Sequence, residues 1–346
     1  MESLNNDFFL KVWGEKIKSK GEDAHPLCLS KQDISVIGVC DGMGGAGSKL
    51  YTNNNSKKSG AAIAATTVSK TVTEYFLNVF NEESFEFDID KLKKLIKEQL
   101  HEISNLYKEE KTLLKSKLIS SFPTTLAILL LFKRDEKVEV TSIWAGDSRN
   151  FTLTKNGLLQ LSKDDLRIDN DPLENIYNDS PLSNFIKLED DFKLNHTTFE
   201  IEKKNVFFSA TDGCFQFYKS PMHFELMLLK TLSASNSVDE WKLNIEKELH
   251  EISGDDFSMA LETIEFKNFD SIKKYYQDRC DLLQNLLIDI DHIEVEEKKL
   301  ENTIEHYQKE IIKSKQKKKE KLLQVWKEYK KEYYKKVESY VERGEH

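Results

Sequence analysis

The chain has 346 residues, 39% of them hydrophobic, and a formal charge of −9, which allows one large core or two domains and argues against a protein that coats nucleic acid. Its four cysteines, Cys28, Cys40, Cys214 and Cys280, form no CxxC pair, so they suit a reducing cytosol rather than a disulfide scaffold. The longest apolar run, residues 126–132, is too short to span a bilayer, and Glu2, Asn5, Asn6 and Asp7 do not make a basic-then-apolar leader, so a soluble, cytoplasmic protein is expected.

In chain order, residues 34–40 predict a buried strand that ends in Asp41-Gly42. Residues 57–80 carry Ala61, Ala64, Ala65, Val68, Val72 and Phe76 at helical spacing, and 92–118 repeat that period with charged residues between. Strands are predicted at 124–132, 138–144 and 150–154, with Lys155-Asn156-Gly157 as a turn. Residues 206–211 read as a strand ending in an acidic turn, 223–250 as two short helices split at 233–237, and 258–264 as a closing strand. Strands interleaved with long helices fit layered α and β elements around one core.

From Asp255 through Arg343 there is no Gly or Pro, where average usage would supply roughly eleven. A domain at 1–266 and a charged helical tail at 267–346 are therefore expected. In the tail, Leu283, Leu286, Ile290, Ile293, Leu300, Ile304, Tyr307 and Ile311 follow steps of three and four, interrupted by Glu297. Six lysines between Lys313 and Lys321 lose the seam, and Leu322, Trp326, Tyr329, Tyr333, Val337 and Tyr340 resume it in a shifted phase. That change marks a reversal point and favours an antiparallel hairpin over one helix of about 100 Å; a coiled coil is the other form. The tail is read as an oligomerisation or docking surface, with a solvated hairpin as the plainer reading. Contact of the lysine run with nucleic acid is diluted by Glu296, Glu297, Glu305 and Glu310.

Four acidic punctuations stand at strand ends: Gly21-Glu22-Asp23-Ala24, Asp41-Gly42-Met43-Gly44-Gly45, Thr211-Asp212-Gly213 and Gly254-Asp255-Asp256. If one fold gathers them, bare carboxylates about 4 Å apart repel by roughly 4 kcal/mol per pair at an effective dielectric near 20. An all-oxygen donor set favours Mg²⁺ or Mn²⁺ over zinc. Each segment alone also reads as a turn. Gly146-Asp147-Ser148-Arg149, in particular, reads as a hairpin turn with a surface arginine.

In order, Gly-Glu-Asp-Ala (21–24), Asp-Gly-Met-Gly-Gly (41–45), Thr-Thr (124–125), Gly-Asp-Ser-Arg (146–149), Leu-Ser-Lys-Asp-Asp (161–165), Thr-Asp-Gly (211–213) and Asp-Asp (255–256) closely resemble the type 2C metal-dependent serine/threonine protein phosphatases. The resemblance covers residues 10–266, and Met43 looks like the bacterial branch. It implies an α+β, four-layer α-β-β-α sandwich of two antiparallel sheets flanked by helices, to which the tail adds a helical hairpin or coiled coil. By the same resemblance, Asp41 bridges two Mn²⁺ or Mg²⁺ ions and Gly42 offers its carbonyl. Glu22 binds one ion, Asp212 and Asp255 bind the other, and Asp147 supports a weaker third. Asp23 orients the attacking water, and Asp23 and Asp41 carry the catalytic role.

The family's phosphate-contacting Arg before the Glu-Asp pair is missing here. Lys18 and Lys20 are the candidates for that role, though lysine lacks the bidentate geometry. Gln216 stands where an acidic ligand of the third metal often sits, so that site is expected to be weak or absent. The resemblance implies hydrolysis of phosphoserine and phosphothreonine in proteins, with a phosphoprotein substrate and a cognate kinase as partners. The alternative is a catalytically weak scaffold that binds phosphoproteins or a kinase. His25 reads as structural or solvent-facing.

Overall fold

The computed structural model describes residues 7–53, 56–82, 85–109, 120–167, 173, 181–189 and 191–333. One antiparallel sheet runs β1 (Phe8–Gly14), β13 (Phe257–Thr263), β12 (Val206–Ala210), β9 (Arg149–Thr154), β10 (Gly157–Gln160). The other runs β11 (Asn195–Glu202), β8 (Lys137–Ala145), β7 (Leu126–Lys133), β3 (Ile34–Val39), β2 (Leu27–Lys31). A smaller sheet joins β5 (Ser56–Ser59), β4 (Leu50–Asn53) and β6 (Lys108–Glu109).

The apolar run at 126–132 lacks polar alternation because both of its faces are covered. With side chains alternating across a strand, Ala127, Leu129 and Leu131 meet Ile37, Val39 and Phe207 between the two sheets. Leu126, Ile128 and Leu130 instead meet Val68, Val72 and Phe76 of α1 (Gly60–Asn81) and Leu92 and Ile96 of α2 (Ile89–Leu106). On the far side of the first sheet, Phe151 and Phe208 stack at 5.0 Å beneath Phe224 of α3 (Pro221–Ala234). Next to α3, α4 (Val238–Ile252) packs on β1. The expected four-layer order is thus present. Between the sheets, the buried Asn150 amide donates to Ser142 Oγ at 2.9 Å and accepts from Ser209 Oγ at 2.7 Å, so its polarity is satisfied.

The element boundaries differ from the sequence reading in three places. Residues 57–59 pair in β5, and α1 begins only after Ser59, whose side chain caps Ala62 N at 3.1 Å. Helix α2 ends at Leu106 and β6 follows; the rest of the helix expected to 118 falls on 110–119, outside the described residues. Strands β1, β2, β4, β10 and β11 lie where no strand is expected from the sequence.

The expected reversal in the tail does not occur among the described residues. One helix, α5 (Phe269–Tyr333), runs unbroken through the lysine cluster. Lys, Glu and Gln are good helix formers, and no Gly or Pro interrupts them. The chain divides into two compact units, Met1–Gln284 and Asn285–His346. Within the first unit, Ile272, Tyr276, Cys280 and Leu283 of α5 are buried, and Tyr276 donates to Leu153 O at 2.6 Å. Arg279 pairs with the buried Glu225 through two bonds of 2.7 and 2.9 Å. Among the described residues no helix is long and apolar enough to cross a membrane.

Candidate active site

Asp41 stands just beyond the end of β3, after Cys40, and its backbone is held by the Thr-Thr pair before β7. Thr124 Oγ1 donates to Asp41 O at 2.6 Å, Thr125 N donates to the same oxygen at 2.9 Å, and Asp41 N donates to Thr125 Oγ1 at 3.3 Å. Thr125 Oγ1 also bonds Ser148 Oγ at 2.6 Å, which ties the Asp41 turn to the Asp147 turn. The latter is not a hairpin, because β8 and β9 lie in different sheets. The segment carries the chain from one sheet to the other, with Gly146 at φ +104°, a conformation that suits glycine. Arg149 is not on the surface: it is buried, holds Asp164 through bonds of 2.9 and 2.6 Å and lies 4.3 Å over the Phe215 ring. Asp165 accepts from Gly146 N at 3.0 Å and from the side chains of Asn184 and Asn195. The Asp164-Asp165 pair therefore braces the turn.

A second set of bonds gathers the other acidic turns. Thr211 Oγ1 donates to Asp23 Oδ2 at 2.8 Å and accepts from Ser258 N at 2.9 Å. Asp256, given no role by the sequence reading, accepts from Lys16 N and from Glu22 N, each at 2.7 Å. It fastens the Glu22 loop to the end of the sheet; the doubled acid at 255–256 was the available signal. A Cβ at Gly42 would overlap the Glu22 carbonyl, and one at Gly213 would overlap the Asp256 carbonyl, so both turns depend on backbone-to-backbone approach.

These turns surround a cleft of about 540 Å³ lined by Glu22, Asp41, Asp147, Asp212 and Asp255, the 42–46 loop, Pro181 and Leu182. Five side chains singled out in the sequence, together with Gly42, thus share one cleft. Asp23 lies behind it, hydrogen-bonded to Asp41. Lys18 and Lys20 are exposed on the 15–20 loop and do not line it. Among the described residues no Lys, Arg or His does. Gln216 is exposed elsewhere, and His25 packs on Trp13 with ring centroids 4.1 Å apart.

Burial raises Asp41 well above the usual carboxylate range, and the charges of Asp23, Asp147 and Asp255 add to it. Asp212 is raised likewise by burial, then by Asp41, Asp147 and Asp255. Asp23 is pushed up to about 8, chiefly by burial, against the opposing bonds from Asp41 and Thr211. Glu22 is raised by burial and by Asp256 and Asp255, while a bond to Ser59 opposes the shift. A cleft in which each carboxylate raises its neighbours is short of positive charge.

Among the described residues, no three His, Cys, Asp or Glu side chains form a closed cluster ready to hold a metal; the carboxylates ring the cleft instead. Their chemistry nonetheless fits hard divalent cations, since every donor is oxygen and the mutual repulsion is of the kind a cation relieves. The Gly44 backbone cradles the Glu22 carboxylate so closely that a Cβ there would overlap Oε2.

A family model described as Protein phosphatase 2C matches residues 16–252. The serine/threonine phosphatase Stp1 from Staphylococcus aureus is 14% identical, with 76% of this chain and 96% of that one covered and a TM-score of 0.53. A bacterial serine phosphatase is 16% identical, with 76% and 99% covered and a TM-score of 0.50. The PPM Ser-Thr phosphatase MsPP from Mycobacterium smegmatis, in complex with cacodylate, is 11% identical, with 75% and 98% covered and a TM-score of 0.50. These likenesses carry the fold. No curated relative matches the chain.

Proposed function

This chain belongs to the protein phosphatase 2C family of protein-serine/threonine phosphatases, and from that membership we propose that its acidic cleft hydrolyses phosphoserine and phosphothreonine esters in proteins. Enzymes of the family bind Mn²⁺ or Mg²⁺. In this chain Glu22, Asp41, the Gly42 carbonyl, Asp212 and Asp255 would hold two such ions, and Asp147 a weaker third. When bound, the cations make water nucleophilic at neutral pH and neutralise phosphoryl charge as the alcohol leaves. The observation that carries the reading is the sharing of one cleft by five carboxylates from distant turns.

Asp23, hydrogen-bonded to both Asp41 and Thr211, orients water at the back of the cleft and accepts its proton. Thr124 and Thr125 fix the Asp41 backbone, so the carboxylate keeps its direction as substrate enters. With no cationic side chain among the described lining residues, the 42–46 backbone is the part of the lining that would meet the phosphate, beside any cations held there. Residues 267–346 serve association, and a phosphoprotein substrate with its kinase is the expected partnership.

A manganese-dependent assay on p-nitrophenyl phosphate and a phosphothreonine peptide tests the reading. Wild type is expected to turn over both, and Asp41→Asn to lose at least a hundredfold. Equal rates from the two proteins, or no turnover with ample manganese, would end it. The missing phosphate-contacting arginine favours one alternative, a catalytically weak scaffold that binds phosphoproteins or a kinase. That reading predicts binding of a phosphoprotein or kinase with little turnover.

A further inference from the structure

Taken by itself, the helical segment 285–333 carries an apolar stripe in two blocks, Leu286 to Ile311 and Leu322 to Tyr333, whose large side chains are 39–67% exposed. In the second block Trp326, Tyr329 and Tyr333 touch ring to ring at 5.6–6.1 Å, so they share one helix face.

The segment is also electrically polarised. From Asn285 to Ile312 eight acidic residues stand against three lysines; from Lys313 to Tyr333 nine lysines stand against three glutamates. A second copy laid parallel would set the lysine run against itself. Laid antiparallel, it sets each acidic half against a basic one.

The spacing agrees with the charge. Inward from Leu286 the stripe steps by four, three and four, through Ile290 and Ile293 to Glu297. Inward from Tyr333 it also steps by four, three and four, through Tyr329 and Trp326 to Leu322. In spacing, Leu286 to Glu297 and Leu322 to Tyr333 are thus mirror images about a point between Lys309 and Glu310.

We propose that residues 285–333 form an antiparallel two-stranded coiled coil with the same segment of a second copy, centred between Lys309 and Glu310. Leu286 then meets Tyr333, Ile290 meets Tyr329, and Ile293 meets Trp326, over about 70 Å of helix. The odd feature of the sequence, a seam shifted in phase across a lysine run, is explained by this register. Lys315 and Lys319 fall opposite Ile304 and Leu300, beside Glu305 and Glu301, where their stems cover apolar surface and their ammonium groups meet carboxylates. The inference rests on reading the tail as an association segment and not on the cleft's chemistry, so a phosphatase assay and a mass measurement fail separately.

The test uses the full chain. Light scattering at micromolar concentration is expected to give twice the 40.3 kDa chain mass. Orientation is read from Ile293→Cys and Trp326→Cys proteins, oxidised singly and mixed; Cys40, Cys214 and Cys280 are buried, and wild type is the control. A disulfide-linked dimer is expected in the mixture and in neither alone. Should Trp326→Cys itself loosen the pair, Tyr307→Cys mixed with Ile312→Cys, near the centre, gives the same reading. A monomeric mass overturns the proposal, and so does Ile293→Cys linking to itself, which signals parallel pairing.

Discussion

Within the cleft, the acids that hold other acids in place are as informative as those that line it. Asp256 accepts from the amides of Lys16 and Glu22, so Asp256→Ala is expected to lower stability by roughly 2–3 kcal/mol and to weaken manganese binding. Denaturant melts and a metal titration would check both; intact metal affinity would reduce Asp256 to a fold residue. Gly44 makes the opposite case. A methyl group there would press only on the movable end of Glu22, so Gly44→Ala should keep its melting temperature and still need several-fold more manganese for half-maximal rate. Asp41 and Asp212 were legible because an acid after an apolar strand is carried to the sheet rim, whereas Glu22 and Asp255, which follow a loop and a helix, were singled out by the resemblance of the ordered motifs. Asp256 and the buried Arg149 were not legible as such, since their roles depend on partners far along the chain.

At the level of elements, the legible ones were largely apolar runs closed by turn residues and helices with a clear apolar face. Strands β3, β7, β12 and β13 follow from short, largely apolar runs that are buried on both faces, and α4 from the helical spacing of Trp241, Ile245 and Leu249. Strand β11 was missed because an edge strand with mixed polarity, Asn195–Glu202, carries little apolar alternation. The start of α5 shows what a contact can add to a period. Glu225 has a 4% exposed side chain, and its partner is Arg279. Removing the cation alone strands a buried charge. Arg279→Ala should therefore cost about 3 kcal/mol, and Glu225→Gln combined with Arg279→Met should recover most of it. Thermal melts of the three proteins decide; an additive double variant would mean the pair does not act as a unit.

For the molecule as a whole, the raised carboxylates set a pH dependence that the metal should reverse. In the metal-free chain Asp41 and Asp212 are raised and Asp23 stands at about 8, while the unfolded chain titrates near 3.9. Between those values the native state binds more protons, so its stability falls as pH rises from about 4 to 8. With chelator, the melting temperature is expected to be higher at pH 5 than at pH 8. Manganese should raise it more at pH 8, where the carboxylates are otherwise repelling. An equal metal effect at both values would show that the carboxylates do not bind it together. The layered architecture was legible because strand runs interleave with long helices and the ordered motifs resemble one family, whereas the unbroken tail helix was not, since a phase change across a lysine run also reads as a reversal.

The tight fit at Gly213 reaches beyond any one enzyme. Because a side chain there would collide with the main chain at Asp256, the position tolerates no drift, whatever becomes of catalysis. Descendants that lose activity should still keep this glycine while their acids decay around it, so the order of loss would date when a lineage stopped being an enzyme.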